Sequence, residues 1–253
     1  MTDEVGPSGA FELLPERFDL WQKSLNWQPD AQQQGQFQRF YELILTANQQ
    51  FNLTRITESS EFWEKHLWDS LRGIAQFLAG SPAASPFSAI DIGTGAGFPG
   101  LPIALVRPDW QLTLLDSTRK KVNFIQSTVQ ALGIENVQLL IDRVEQAGRH
   151  RHHREHYDLA LIRAVASAPV CAEYALPLLK VGGLAILYRG QWTETEAESL
   201  NHAIEQLGGT IERTEAFTTP LTQSIRHCLH LRKVAPIANA FPRAIGMATQ
   251  TPL

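Results

Sequence analysis

Asp91-Ile92-Gly93-Thr94-Gly95-Ala96-Gly97-Phe98-Pro99-Gly100 joins a short β-like run, residues 89–92, to a helical one, and this strand, glycine turn and helix decide the fold class. Alternating glycines let the backbone turn sharply and approach a ligand without Cβ interference. The same rhythm continues downstream. β-like runs at 112–115, 137–141, 159–162 and 184–188 alternate with helical patterns, notably 119–132 and 193–207, closed by Gly133 and Gly208 where left-handed caps are expected. Two further runs, 210–217 and 228–233, have no helical pattern between them and are expected to pair antiparallel at one end. The expectation is an α/β chain with a doubly wound, mostly parallel seven-stranded sheet.

Upstream of the turn the period is different. From about residue 11 to 78, apolar residues recur at three- and four-residue spacings, as in Phe37, Phe40, Tyr41, Ile44, Leu45 and again Phe62, Trp63, His66, Leu67, Leu71. Gln-rich positions fill the other face, so residues 1–80 read as a packed helical cap. Gly80-Ser81-Pro82-Ala83-Ala84-Ser85-Pro86 reads as a linker. The core then spans 87–235, and 236–253 form an irregular tail.

With 43% hydrophobic and 19% charged residues over 253 positions, wholesale disorder and fibrous architecture are excluded. Apolar runs are far shorter than the roughly 18–20 residues of a membrane span. The acidic start Met1-Thr2-Asp3-Glu4 lacks the apolar region of a secretory signal, so a cytoplasmic location is expected. Two cysteines, Cys171 and Cys228, exclude a disulfide scaffold and a thiolate zinc site. Net charge is −4, which argues against coating by nucleic acid through bulk electrostatics. The charge is uneven, however. After Glu215 there is no carboxylate side chain, while Arg226, Arg232, Lys233 and Arg243 follow, so a local basic surface is expected there. A monomer is the default.

The pattern Gly95-x-Gly97-x-x-Gly100 also matches a dinucleotide fingerprint, so the glycines alone do not choose the cofactor. Asp91 separates the candidates. A carboxylate at the strand end would repel a pyrophosphate, whereas S-adenosylmethionine has no phosphate and carries a sulfonium and an ammonium. Asp116 ends the next strand, where a carboxylate can accept both ribose hydroxyls. Its competing reading is an N-cap for the helix beginning near Arg119. Strand C-termini nominate three more places: Asp142-Arg143-Val144-Glu145, Arg163, and Tyr188-Arg189-Gly190. Val144 suits an adenine ring and Glu145 its polar edge.

Asn52-Leu53-Thr54, His66-Leu67-Trp68-Asp69-Ser70, the glycine turn, Leu114-Leu115-Asp116-Ser117, Arg143-Val144-Glu145 and Arg163-Ala164 occur in one order. As a set they closely resemble the glucose-inhibited division protein B family, also called ribosomal small subunit methyltransferase G, from about residue 37 to the end. The resemblance implies a Rossmann-like fold and an enzyme that methylates N7 of a guanine in 16S ribosomal RNA, with the RNA or the small subunit as partner. It implies cofactor contacts from Gly93, Phe98, Asp116, Ser117, Thr118, Val144, Glu145 and Arg163, to which the residue reading adds Asp91 and Gly95. The tail from Phe241-Pro242-Arg243 to Pro252-Leu253 resembles a family ending, with Ala248 and Gln250 where a further proline and a lysine usually stand. Arg189 stands where some relatives have lysine.

Guanine N7 already exposes a lone pair, so methyl transfer to it needs alignment rather than a general base. No acid, base or covalent nucleophile is expected. There is no Asp/Asn-Pro-Pro-Tyr motif after the fourth strand, and Cys171 reads as a small buried apolar residue. Substrate orientation is assigned to Asn52, Thr54, His66, Asp69, Arg189 and Arg243, with caps and cap-to-sheet contacts as the competing reading. Arg149-His150-Arg151-His152-His153-Arg154-Glu155-His156 lacks a ligand set, so no metal is expected, and it reads as a solvated, RNA-facing or merely variable loop. Arg163, beside a cationic cofactor, must face a carboxylate: the cofactor's own, Glu145 or Asp91. The rival functions are a small-molecule methyltransferase, a nicotinamide-dependent oxidoreductase, and a cofactor-binding RNA-binding module without turnover.

Overall fold

The computed structural model describes residues 11–50, 52–79 and 87–253. The first helices are α1 (Phe18–Leu25), α2 (Ala31–Asn48), α3 (Ser59–Phe62), a π-helical turn (Trp63–Trp68), α4 (Asp69–Arg72) and α5 (Ala75–Leu78). Then follow β1 (Phe87–Ile92), α6 (Gly100–Val106), β2 (Trp110–Asp116), α7 (Arg119–Leu132), β3 (Val137–Ile141), α8 (Val144–Ala147) and β4 (Tyr157–Arg163). The chain continues through α9 (Ala168–Ala175), a 3-10 turn (Leu176–Leu178), β5 (Leu179–Arg189), α10 (Glu194–Gln206), β6 (Gly209–Thr218), β7 (Ile225–Lys233) and α11 (Met247–Gln250). The sheet order is β3-β2-β1-β4-β5-β7-β6. β1 to β5 are parallel, and β7 lies antiparallel between β5 and β6. Sheet class and antiparallel end are as the sequence pattern predicts, and Gly133 caps α7 at φ +63°. The predicted linker at 80–86 lies outside the described residues.

Period-two alternation divides the strands between two cores. Ala89, Leu112, Leu114, Leu159 and Leu161 join the cluster that contains Trp21, Phe40, Trp63 and Trp68 of the N-terminal helices. Ile90, Ile92, Leu115, Ala160 and Ile162 face the cluster built with α9, α10, Ile237 and Ala248. The N-terminal helices therefore share one apolar core with the sheet face they cover.

Two expectations need correction here. Residues 11–78 are not helical throughout: after α2, Asn48 turns its amide onto Leu53, Thr54 and the Thr54 carbonyl, stabilising a loop. Trp63, His66 and Leu67 are buried as their spacing predicts, but residues 63–68 form a π turn rather than an α-helix. The π turn offsets the usual 3.6-residue period, and Trp63, Glu64, His66, Leu67 and Trp68 are all buried. The tail is ordered too, because Ile237 and Ala248 supply apolar surface to the second core. Cys171 and Cys228 are buried free thiols on opposite faces of the sheet, and burial pushes the Cys171 thiol up to about 11.

Candidate cofactor site

The chain reverses its direction of winding between β1 and β4, and the crevice beyond the strand ends opens at that point. The glycine turn leans over β2, with Gly93 and Thr94 donating their N–H groups to the Leu115 carbonyl at 2.8 and 3.0 Å. Gly95 has φ +62°, and nothing but the Gly93 carbonyl comes within 4 Å of where a Cβ would stand. A side chain there would be strained and would project into open space beside the cavity. Gly100 is required for a different reason. Its Cβ would lie 2.2 Å from Leu114 Cδ2 and 2.8 Å from Asp91 Oδ2, so only glycine lets α6 begin this close to β1 and β2.

That close approach serves Asp91. Its Oδ2 accepts the Gly100 N–H at 2.9 Å, at the start of α6. Oδ1 is buried without a hydrogen-bond partner, as is the Thr94 hydroxyl beside it. Burial pushes the Asp91 carboxyl up to about 6, against the pull of the nearby Thr94 hydroxyl, the Gly100 N–H and the charge of Arg163. Asp116 sits across the turn. Its Oδ2 accepts the Gly95 N–H at 3.0 Å and its Oδ1 the Thr118 N–H at 2.8 Å. It therefore caps the approach to α7 and ties down the glycine turn, while each oxygen retains acceptor capacity for a ligand hydroxyl.

Gly93, Asp116, Ser117, Thr118, Val144 and Tyr174 line one cavity of about 370 Å³. Asp91, Gly95, Phe98, Glu145 and Arg163 do not line it; Phe98 and Arg163 belong to a clasp between cap and sheet. Arg163 Nη1 donates to Asp69 Oδ2 and to the Lys65 carbonyl, both at 2.9 Å, and Nη2 lies 3.4 Å from His66 Nδ1. The guanidinium can only donate, so Nδ1 is assigned as acceptor and the imidazole proton falls on Nε2, 2.8 Å from the Thr54 hydroxyl. The ring stacks on Phe98 at 4.2 Å between centroids. Burial, then the charge of Arg163, push His66 down to about 3, so it is neutral at physiological pH. Arg163 thus faces a carboxylate of the cap, Asp69, a partner the sequence reading did not name, and is hydrogen-bonded to neither Glu145 nor Asp91. The folded chain brings Thr54, His66 and Asp69 together to hold Arg163, while Asn52 is exposed nearby.

The predicted basic surface after Glu215 is reduced, because three of its four cations, all but Arg226, are held in ion pairs. Arg232 pairs with Glu212, Lys233 with Glu155, and Arg243 with the buried Glu173. These cations tie strands and tail to the body; Lys233 and Glu173 are the buried members, and either would be costly without a partner. Arg243, expected to orient the substrate, is engaged by Glu173. Arg189 is likewise engaged, by Glu196 at 2.9 Å and the Ala166 carbonyl at 2.8 Å. In the His/Arg-rich loop, Arg149 donates to the Pro242 carbonyl and Arg154 to those of Phe241 and Ile237. Two of its cations hold the tail, while His150, Arg151, His152 and His156 stay exposed.

The model of the GidB family, rRNA small subunit methyltransferase G, matches residues 33–228. The chain belongs to this family. The ribosomal RNA small subunit methyltransferase G of Trichormus variabilis is 59% identical over 244 residues, which cover 95% of this chain and 99% of that one. The protein of the same name from Nostoc punctiforme is 59% identical over 242 residues, with 95% and 99% covered. Among solved structures, M. jannaschii TYW2 in complex with AdoMet has a TM-score of 0.53 at 12% identity, covering 71% of this chain and 80% of that one. A 16S rRNA (adenine(1408)-N(1))-methyltransferase from Catenulisporales acidiphilia has a TM-score of 0.51 at 16% identity, covering 64% and 92%. These two share the fold.

In this member of the methyltransferase G family, sequence reasoning missed three features of the cavity. Tyr174 of α9 lines it and donates its hydroxyl to Glu145 Oε1 at 3.2 Å. Thr249 of α11 lines it as well. Ala164 follows Arg163 at φ +56°, a conformation costly for a residue with a Cβ and common where a site over-determines the backbone. The Arg163-Ala164 pair was visible in sequence, but its strain was not. Tyr174 and Thr249 lie far along the chain from the glycine turn, and no local pattern marks them.

Proposed function

We propose that the protein is an S-adenosylmethionine-dependent methyltransferase acting on N7 of a guanine in 16S ribosomal RNA, as the family name and its own residues together support. The observation that carries the cofactor reading is the Asp91 carboxylate. Oδ2 already satisfies the first N–H of α6, the place a dinucleotide's pyrophosphate would take. The buried, unpartnered Oδ1 suits an ammonium. S-adenosylmethionine supplies an electrophilic methyl group on its sulfonium when bound. Asp91 then holds the cationic amino-acid end, Asp116 accepts ribose hydroxyls, and Ser117, Thr118, Val144 and Glu145 surround the adenosine. Gly93 and Gly95 let the backbone approach. Arg163 and Phe98, fixed by the cap clasp, shape the mouth where a guanine enters.

N7 of guanine needs no proton removed, which suits a site whose carboxylates are engaged in binding and whose one nearby histidine, His66, is locked between Thr54 and Arg163. In this reading residues 1–80 act as the cap, 87–235 as the catalytic core and 236–253 as a tail. The protein works as a cytoplasmic monomer on the RNA or the small subunit. Among the described residues no helix is long and apolar enough to cross a membrane. The test is transfer of a radiolabelled methyl group to isolated small subunits and to naked 16S RNA, followed by mapping of the labelled base. Label on guanine N7 is expected. Tight cofactor binding without label in RNA would favour a binding module, and label on another atom would overturn the N7 assignment.

A further inference from the structure

The tail carries an unusual density of anchors. Arg243 grips the buried carboxylate of Glu173 with Nε at 3.0 Å and Nη2 at 2.6 Å. Arg149 and Arg154 take the carbonyls of Pro242, Phe241 and Ile237. Pro242 presses on Gly148 so closely that a Cβ there would lie 2.9 Å from its Cγ. Gly246 donates its N–H to Glu145 Oε1 at 3.0 Å, immediately before α11. That same oxygen takes the Tyr174 hydroxyl at 3.2 Å and pairs with Arg143 at 3.1 Å, and both partners line the cavity. Burial pushes the Glu145 carboxyl upward, but the hydrogen bond and charge of Arg143 and the Gly246 N–H hold it below its ordinary value.

We infer that the C-terminal tail is a working wall of the cofactor pocket, in which α11 brings Thr249 to the adenosine side and sets how tightly the cofactor is held. This rests on the reading that the pocket takes S-adenosylmethionine. Thr249 lines the cavity together with Asp116, Val144 and Tyr174. Buried Ala248 joins the apolar cluster that contains Val144 and Tyr174, so α11 is packed onto the pocket's own residues. The charge of the tail points the same way. From residue 236 onward Arg243 is the one cation, and Glu173 consumes it, which leaves nothing in this segment to neutralise RNA phosphates. The tail therefore acts on affinity through the cofactor. Glu145 is the coupling point, because it connects the tail's backbone to Arg143 and Tyr174.

The test compares the full chain, a chain ending at Gly246, and Thr249→Trp, using S-adenosylhomocysteine as the calorimetric probe. Ending at Gly246 removes α11 but keeps the ties of Arg243 and Gly246. Its dissociation constant is expected to rise about fivefold or more, and that of Thr249→Trp about tenfold or more. Thr249→Trp substitutes an exposed position, so its unliganded unfolding midpoint should match that of the full chain, which separates pocket filling from misfolding. RNA binding at saturating cofactor should be unchanged in both. Two variants that bind the probe within about twofold of the full chain would overturn the proposal. So would loss of RNA binding with cofactor affinity intact, which would assign the tail to the substrate. If the full chain itself fails to bind the probe, the cofactor reading beneath the proposal is what fails.

Discussion

Replacing Asp91 by Asn tests the electrostatic core of the site. The carboxyl is buried, with one oxygen on the Gly100 N–H and the other unpartnered. Burial pushes its pKa from the ordinary aspartate range up to about 6. The folded protein therefore holds this proton more tightly than the unfolded chain does. Its contribution to stability is fully present below the unfolded value and is lost as pH rises through the folded one. A shift of about two units corresponds to about 3 kcal/mol at 1.36 kcal/mol per unit. Without cofactor, Asp91→Asn should be more stable than the native chain by roughly 1–3 kcal/mol near neutral pH, because the amide still accepts the Gly100 N–H without a buried charge. The difference should close toward about pH 4. Cofactor binding should respond in the opposite sense. Losing the ammonium's carboxylate should weaken S-adenosylhomocysteine binding by about 2–3 kcal/mol, roughly 30- to 150-fold. In the native chain affinity should fall about tenfold per unit once the pH drops below about 6. Urea denaturation and calorimetry across this range measure both effects. An Asn variant that binds normally and gains no stability would refute the idea that the orphaned oxygen is reserved for a cation.

Two other perturbations probe the cap and the glycine turn. Arg163→Lys and Asp69→Asn, alone and combined, should show a coupling of about 1–3 kcal/mol in cofactor-free stability, since the pair is largely buried and the guanidinium also holds the Lys65 carbonyl. Coupling near zero in urea denaturation would mean that the clasp does not form in solution. Gly95→Val should cost about 1–3 kcal/mol from a β-branched residue at φ +62° and should abolish calorimetric cofactor binding. Retained affinity in a folded variant would show that the open space beside Gly95 is not where the adenosine lies.

Much of the fold was legible because its signals are local. Strand period, helix period and the left-handed glycines act over a few residues, and they predicted a seven-stranded sheet with an antiparallel end. The π turn was not legible. Trp63, His66 and Leu67 fit an ordinary helical stripe in sequence, and only packing against both α2 and the sheet decides that nearly the whole turn is buried. Charge was the least legible property. Arg163, Arg189 and Arg243 all read as ligand-facing cations, and each is engaged by a carboxylate, two of them more than fifty positions away along the chain.

By itself, the amino-acid sequence determined the glycine turn, the carboxylates at the ends of β1 and β2, the order of the strands along the chain, and the family. Each depends on residue type and short-range spacing, which a linear chain carries in full. Only the tertiary structure decided which oxygen of Asp91 is satisfied, which carboxylate Arg163 faces, and that residues 246–250 reach the pocket. Those outcomes depend on which distant groups arrive together when apolar surface is buried. Ion pairing in a low-dielectric interior then selects among several carboxylates that the sequence offers on equal terms.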